Sequence, residues 1–303
     1  MLSTASWWNV TPDLFVGLVT HARSRFPDAV TESGLQQRLV SALTSSGMTV
    51  MSGISDRDEY TPELLPLTRQ EVLASVSGEL DSELRWREYL AGKPAGMKLH
   101  AFMLVRRAKR TIDFAPPWRR TLAADDTGPR MARRLANIEL SHLRIIEEAV
   151  ASGAGWALLI EDDAGADDVD RFAAQLREFL DAADHRGQPV MMNLSESFTP
   201  EVLGIEPLLT PIAASDAGTT WRVFSAERPV TNTVCAVLYR GDFLTRMLDV
   251  LRTIPISPVI PIDFKLNEAL MRLAPTMAPG DCWVASPAPL EQRSGVPTIV
   301  IRP

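Results

Sequence analysis

The stretch Trp156-Ala157-Leu158-Leu159-Ile160-Glu161-Asp162-Asp163 runs five apolar residues straight into three acids, between Gly155 and Gly165. A run of that length between glycines reads as a strand buried on both faces, as in parallel sheets covered by helices. The acids then stand at its carboxyl end, where open α/β sheets bind ligands. Strand side chains alternate, so the pattern predicts Glu161 and Asp163 on one face and Asp162 on the other. Adjacent carboxylates repel, and a divalent hard cation bridging to phosphates neutralises such a cluster. The structural alternative is that the acids only end a strand, with Asp167 or Asp168 capping the helix that Val169 begins.

Toward the amino terminus, Leu14 to Thr20 reads as a first buried strand. The loop after it carries Arg23 and Arg25, which suit a phosphate at a strand's carboxyl end. Leu35, Leu39, Val40 and Leu43 recur at helical spacing within 34–46, and Met48 to Ile54 is a second strand leading to Asp56-Arg57-Asp58. Strand, helix and strand in that order predict a right-handed parallel βαβ unit. Asp56 or Asp58 then either takes a ribose or base edge or belongs to a plain turn.

Residues 60–127 read as a helical or irregular insertion, with helical pieces over 71–111 and breaks at Pro116-Pro117-Trp118 and Asp125-Asp126-Thr127-Gly128-Pro129. Trp86 and Trp118 look exposed enough for an interface, although scattered tryptophans are more often local core. From Pro129 a helix places Leu135, Ile138, His142, Ile145, Ile146, Ala149 and Val150 on one stripe. His142 is therefore either a satisfied core histidine or a residue this helix offers to a site on the sheet. Beyond the acids come a helix over 169–180, strands at 188–194, 221–224 and 233–239, a helix from Gly241, another from Pro261, and a last strand at 282–285. The expected fold is α/β, one domain over 1–303 built on a mixed, mainly parallel sheet flanked by helices.

Composition narrows the function. The 303 residues are 46% hydrophobic and 23% charged, ordinary for a globular chain. A net charge of −7 and a pI near 5.3 argue against a dedicated nucleic-acid binder, whose affinity comes from a basic face. No window approaches the ~18 uninterrupted apolar residues of a membrane span. The first residues lack the basic start and apolar core of a signal peptide, so a cytoplasmic location is expected. Cys235 and Cys282 lie in separate apolar strands, which suits buried free thiols rather than a disulfide. Arg106, Arg107, Lys109, Arg110, Arg119, Arg120, Arg130, Arg133 and Arg134 crowd 106–134. That cluster is a solvated helix face, a patch for an anionic acceptor, or a peripheral contact with an acidic membrane. Phosphate loops of the GxxxxGK[ST] type, GxSxG elbows and GxGxxG fingerprints are absent, which lowers nucleotidyltransferase, serine hydrolase and dehydrogenase readings.

Taken in order, several blocks resemble glycosyltransferase family 25, the group of lipooligosaccharide and collagen galactosyltransferases. They are Leu140-Ser141-His142-Leu143, Trp156 to Ala164, Thr231 to Tyr239, Pro261-Ile262-Asp263-Phe264, and Pro287-Ala288-Pro289-Leu290-Glu291-Gln292. The resemblance covers about residues 130–295 in pieces. It implies a GT-A fold, with a nucleotide-sugar donor on the amino-terminal half and a glycan, lipid-linked or protein acceptor on the other. It further implies manganese or magnesium at the acidic motif, Asp163 as the first direct ligand and Asp162 the next, with Glu161 and His142 beside the donor. In-line attack by an acceptor hydroxyl would need a carboxylate base, for which Asp263 is the candidate and Glu196 and Glu227 are rivals. A helix-capping role explains Asp263 equally well. The alternative from another class is a nucleotide-sugar-binding or scaffold protein of the same fold whose catalytic site has decayed.

Overall fold

The computed structural model describes residues 13–21, 24–56, 69–114, 127–186, 189–195, 200, 205–213, 221–228, 234–255 and 262–293. In chain order the elements are β1 (Leu14–Thr20), α1 (Leu35–Ser45), β2 (Val50–Asp56), α2 (Arg69–Ala91), α3 (Met97–Phe114) and α4 (Thr127–Ser152). They continue with β3 (Trp156–Glu161), β4 (Ala164–Gly165), α5 (Val169–Arg186), β5 (Met191–Asn193), β6 (Leu209–Ile212) and β7 (Val223–Ala226). Last come β8 (Ala236–Arg240), α6 (Gly241–Thr253), α7 (Ile262–Leu273), β9 (Cys282–Ala285) and β10 (Glu291–Gln292).

Eight strands form one sheet in the order β2-β1-β3-β8-β5-β9-β7-β6, and β4 and β10 make a separate two-stranded ribbon. Parallel pairing joins β1 to β2, β1 to β3, and β5 to β9. The βαβ opening expected from the sequence is therefore present. Strand β8 runs against both β3 and β5, and β7 runs against β9 and β6, so the sheet is mixed with six of its eight strands in one direction. The reversal of β8 matters for the site. It carries the amino end of β8, not its carboxyl end, to the edge where β1 and β3 finish.

Every residue of β1 is buried, as is β3 from Trp156 to Ile160, which is why both read as unbroken apolar runs. On one face Leu14, Val16, Leu18, Trp156, Leu158 and Ile160 pack under α1 and α5 through Leu39, Leu43, Leu176 and Phe179. On the other, Phe15, Val19, Ala157 and Leu159 pack under α4, α6 and α7 through Ile145, Ile146, Phe243, Met247 and Leu266. Alternation along β3 thus assigns Glu161 to the face that α4 and α7 cover.

Two glycines set how closely α4 approaches. Gly17 and Gly53 are register partners on adjacent strands. A Cβ at Gly17 would lie 2.6 Å from Ile145 Cγ1 and 2.8 Å from Leu159 Cδ2, and one at Gly53 would lie 2.6 Å from Glu148 Oε2. The helix therefore rests on bare backbone at Ile145. One turn toward its amino end, His142 comes level with the last residue of β3.

The insertion is more regular than its composition suggests. It holds a helical hairpin, α2 and α3, interrupted where Gly92 takes φ +64° and Pro94 follows. Arg106 of α3 lies between the buried carboxylates of Glu79 and Glu83 on α2, with Val76, Leu80 and Met103 packed beside them. Trp86 is buried and stacks on Tyr89 with ring centroids 5.8 Å apart, so it is local core and not an interface; Trp118 lies outside the described residues. Edge strand β6 escapes a periodicity search because Thr210 and Pro211 face solvent, and proline is tolerated only at a sheet edge. Among the described residues, no helix is long and apolar enough to cross a membrane.

Candidate functional site

The carboxyl edge of the central strands gathers the chemistry. Strand β3 stops at Glu161, and Asp162 and Asp163 form a turn, so the expected alternation does not extend past the strand. Each acid is instead oriented by its own partner. Glu161 Oε1 lies 3.0 Å from His142 Nε2, and its backbone N–H donates to the carbonyl of Cys235 at 2.8 Å. Asp162 Oδ2 accepts from the Thr20 hydroxyl at 2.8 Å, tying the turn to the end of β1. Asp163 Oδ2 accepts from the Gln292 side-chain amide at 3.0 Å.

The ribbon of β4 and β10 clasps this turn. The Arg293 backbone N–H donates to the Asp163 carbonyl at 2.7 Å, and its guanidinium donates to the Asp162 carbonyl at 3.2 Å. The same guanidinium lies 5.0 Å from the centre of the Phe26 ring and 3.6 Å from the Asp28 carboxylate, both in the segment that follows β1. The acid turn is thereby pinned from Thr20 on one side and from Gln292 and Arg293 on the other.

Asp163 is the unusual member. Its Oδ1 is buried with no nitrogen or oxygen donor, and only the weakly donating thiol of Cys235 lies beside the carboxylate. Burial first, and then the nearby Glu161, push its carboxyl above the usual aspartate range, while the Gln292 hydrogen bond pulls the other way. A hard oxygen with no strong donor, beside two further carboxylates, fits a divalent cation held by one or two protein ligands and completed by ligand phosphate. Among the described residues no group of three or more His, Cys, Asp or Glu side chains is placed to cage a metal.

Asp263 stands in the first turn of α7, near enough to Glu161 and His142 to interact with both. Burial and the Glu161 charge raise its pKa from 3.8 to about 6, partly offset by His142 and by backbone N–H donation from Asp263 itself and from Val234. The Val234 donor is available only because β8 is reversed. Two residues on, Lys265 forms a buried ion pair with Glu139 of α4, three residues before His142. This pair staples the two helices that bring His142 and Asp263 to the same strand end.

The other expected residues distribute differently. Asp56 ends β2 as the register partner of Thr20, so its backbone is at the same edge. Arg25 is exposed in the loop after β1. Glu227 follows β7 at the opposite edge, beside the amino end of β9, and is excluded as a partner of these acids. Arg23, Asp58 and Glu196 lie outside the described residues. Cys235 and Cys282 are free and buried, as expected, and Cys235 packs its thiol beside Asp163. Thr20, Gln292 and Arg293 were not expected as site residues, since contacts spanning more than a hundred residues leave no periodic signal. No family model matches the chain, and no curated protein matches its sequence.

Proposed function

We propose that the chain is a metal-dependent glycosyltransferase with a GT-A-like fold. In this reading it moves a hexose from a nucleotide-diphosphate sugar, a UDP-sugar first among them, to an acceptor hydroxyl with inversion. The observation that carries the reading is that Asp163 and Asp263 both lie near Glu161. Asp162 and Asp163 offer buried hard oxygens to a cation, and Asp263 has a basicity suited to proton abstraction. The mixed α/β sheet and the ligand-side position of the acids support it as well. Mn²⁺ or Mg²⁺ bound by Asp163 and Asp162 would supply Lewis-acid neutralisation of the departing diphosphate. Asp263 takes the acceptor hydroxyl proton, that oxygen bonds to the anomeric carbon, and the carbon–phosphate oxygen bond breaks with its electrons leaving on the nucleoside diphosphate. His142 holds Glu161 in place. Glycan, lipid-linked and protein hydroxyls all meet the acceptor requirement. The buried free thiols of Cys235 and Cys282 accord with a reducing compartment such as the cytoplasm.

The test is a thermal-shift panel of nucleotide sugars with and without Mn²⁺. A donor at about a hundred times its dissociation constant should stabilise the wild type by about 2.7 kcal/mol. Asp163→Ala should abolish the Mn²⁺-dependent part. Donor stabilisation without product in any acceptor assay would point to a nucleotide-sugar-binding protein instead, and no stabilisation by any donor would overturn the reading.

A second expectation concerns Gln292, which orients Asp163 without being a ligand itself. Removing an outer partner of a metal ligand typically costs roughly 10- to 100-fold in metal affinity. Gln292→Leu should weaken Mn²⁺ binding in the presence of UDP by that factor, measured by paramagnetic resonance of free Mn²⁺. An unchanged affinity would remove Gln292 from the site.

A further inference from the structure

Helix α3 carries apolar residues on two faces, and only one of them is used. Its inner face places Met103, with Leu99 and Phe102, against Val76 and Leu80 of α2 and Leu135 of α4. Its outer face carries Met97, Ala101, Leu104, Val105 and Ala108, spaced i, i+4, i+7, i+8 and i+11, which is one stripe of a helix. Met97 is 90% exposed, Leu104 65% and Val105 71%, the three most exposed large hydrophobic residues among those described. Such residues elsewhere on the described surface are single, at Val30, Met51 and Ile54. Clustering, not exposure alone, is what marks an interaction site.

The flanks of the stripe are basic. Lys98 and Lys109 border it on one side and His100 and Arg107 on the other, all positions that helical spacing places about a quarter turn from its centre. No acid occurs anywhere from Met97 to Ile112, in a chain whose net charge is −7. Arg106, by contrast, points inward to Glu79 and Glu83, and Arg107 already has Asp81 as a partner. Lys98 and Lys109 are exposed.

We infer that the outer face of α3 is a docking surface for an anionic membrane, with Met97, Leu104 and Val105 entering the interfacial zone and Lys98 and Lys109 meeting lipid phosphates. A helix with an apolar stripe between two basic borders lies in the plane of an anionic interface, where hydrophobic insertion and charge attraction add. A second copy of this chain is a poorer occupant. Two-fold packing of the stripe on itself would bring two sets of the same basic borders together, and like charges across an interface cost affinity. The negative remainder of the molecule is repelled by the same lipid surface, so the field orients the protein with α3 leading.

The experiment is co-sedimentation of the full chain with vesicles of phosphatidylcholine alone or mixed with phosphatidylglycerol, at low and high salt. Binding to the mixed vesicles alone, weakened by salt, is expected. Replacing Lys98 and Lys109 together by Gln should weaken it by roughly 25-fold, at about fivefold per charge removed near an anionic surface. Leu104→Asp with Val105→Asp should remove binding while leaving the melting temperature and helical circular dichroism unchanged, because neither side chain supports the core. Absence of binding by the wild type, or equal binding by either variant, overturns the inference. So does a lowered melting temperature in the aspartate variant, which would mean another part of the chain covers the stripe. A wild-type dimer dissolved by those aspartates, without vesicle binding, would make the stripe a protein interface and overturn it as well.

Discussion

Asp263→Asn should lower sugar transfer by roughly 100- to 10,000-fold, the contribution of a positioned general base, while Mn²⁺-dependent stabilisation by the donor persists. The asparagine keeps the shape of the side chain and can still accept from the Val234 N–H, so the lost quantity is the proton acceptor. The pH profile gives a second readout. A base must be ionised, so wild-type transfer should rise with pH through about 6, the value set by burial and by the Glu161 charge. Folding responds in the opposite sense. The folded pKa is raised above the ordinary 3.8, so the stability this carboxyl contributes is full below about pH 4 and is lost as pH rises through 6. At pH 7 the Asn variant should therefore melt higher than the wild type, even as transfer collapses. Loss of transfer together with donor binding would assign Asp263 to binding, and intact transfer would return it to the role of a helix cap.

Lys265→Met should destabilise the protein by about 3–5 kcal/mol, because it removes the ammonium that pairs with the buried Glu139 carboxylate. Both side chains are buried, Lys265 at 4% and Glu139 at 1% exposure. The cost comes mainly from leaving a buried charge without its counter-charge. Replacing both partners, with Glu139→Leu added, should therefore recover the stability or exceed the wild type by up to about 4 kcal/mol. Chemical denaturation of the two single variants and the double variant completes the cycle. A double variant as unstable as the sum of the singles would mean that the pair is not coupled. The same cycle bears on the site, since a recovered fold with poor transfer would show that the ion pair aligns α4 with α7.

What the sequence made readable was what repeats along it. The apolar run of β3, the seven buried residues of β1 and the spacing of Leu35, Leu39 and Leu43 all declare their elements locally, because burial on a strand or helix imposes a period. The acids at the end of β3 could be located for the same reason. Their orientation could not, because the alternation rule lapses at the turn and the deciding partners are Thr20, His142 and Gln292, brought in by tertiary pairing. The reversal of β8 is equally silent in its composition, since a strand buried on both faces looks the same in either direction. Glu139 is the instructive case. Nothing near it in sequence announces a counter-charge, and the packing of α7 on α4 brings Lys265 to it.

The clasp between β4 and β10 has a consequence for the order in which the molecule matures. Chains emerge at about 5–20 residues per second and fold by parts as they do so. The βαβ opening and the acidic strand are available early, yet the bonds that aim Asp163 come from Gln292 and Arg293. Asp163 acquires those bonds only once β10 has been made and paired with β4. A chain cut between β9 and β10 should therefore keep all eight strands of the sheet and lose the bonds that aim Asp163.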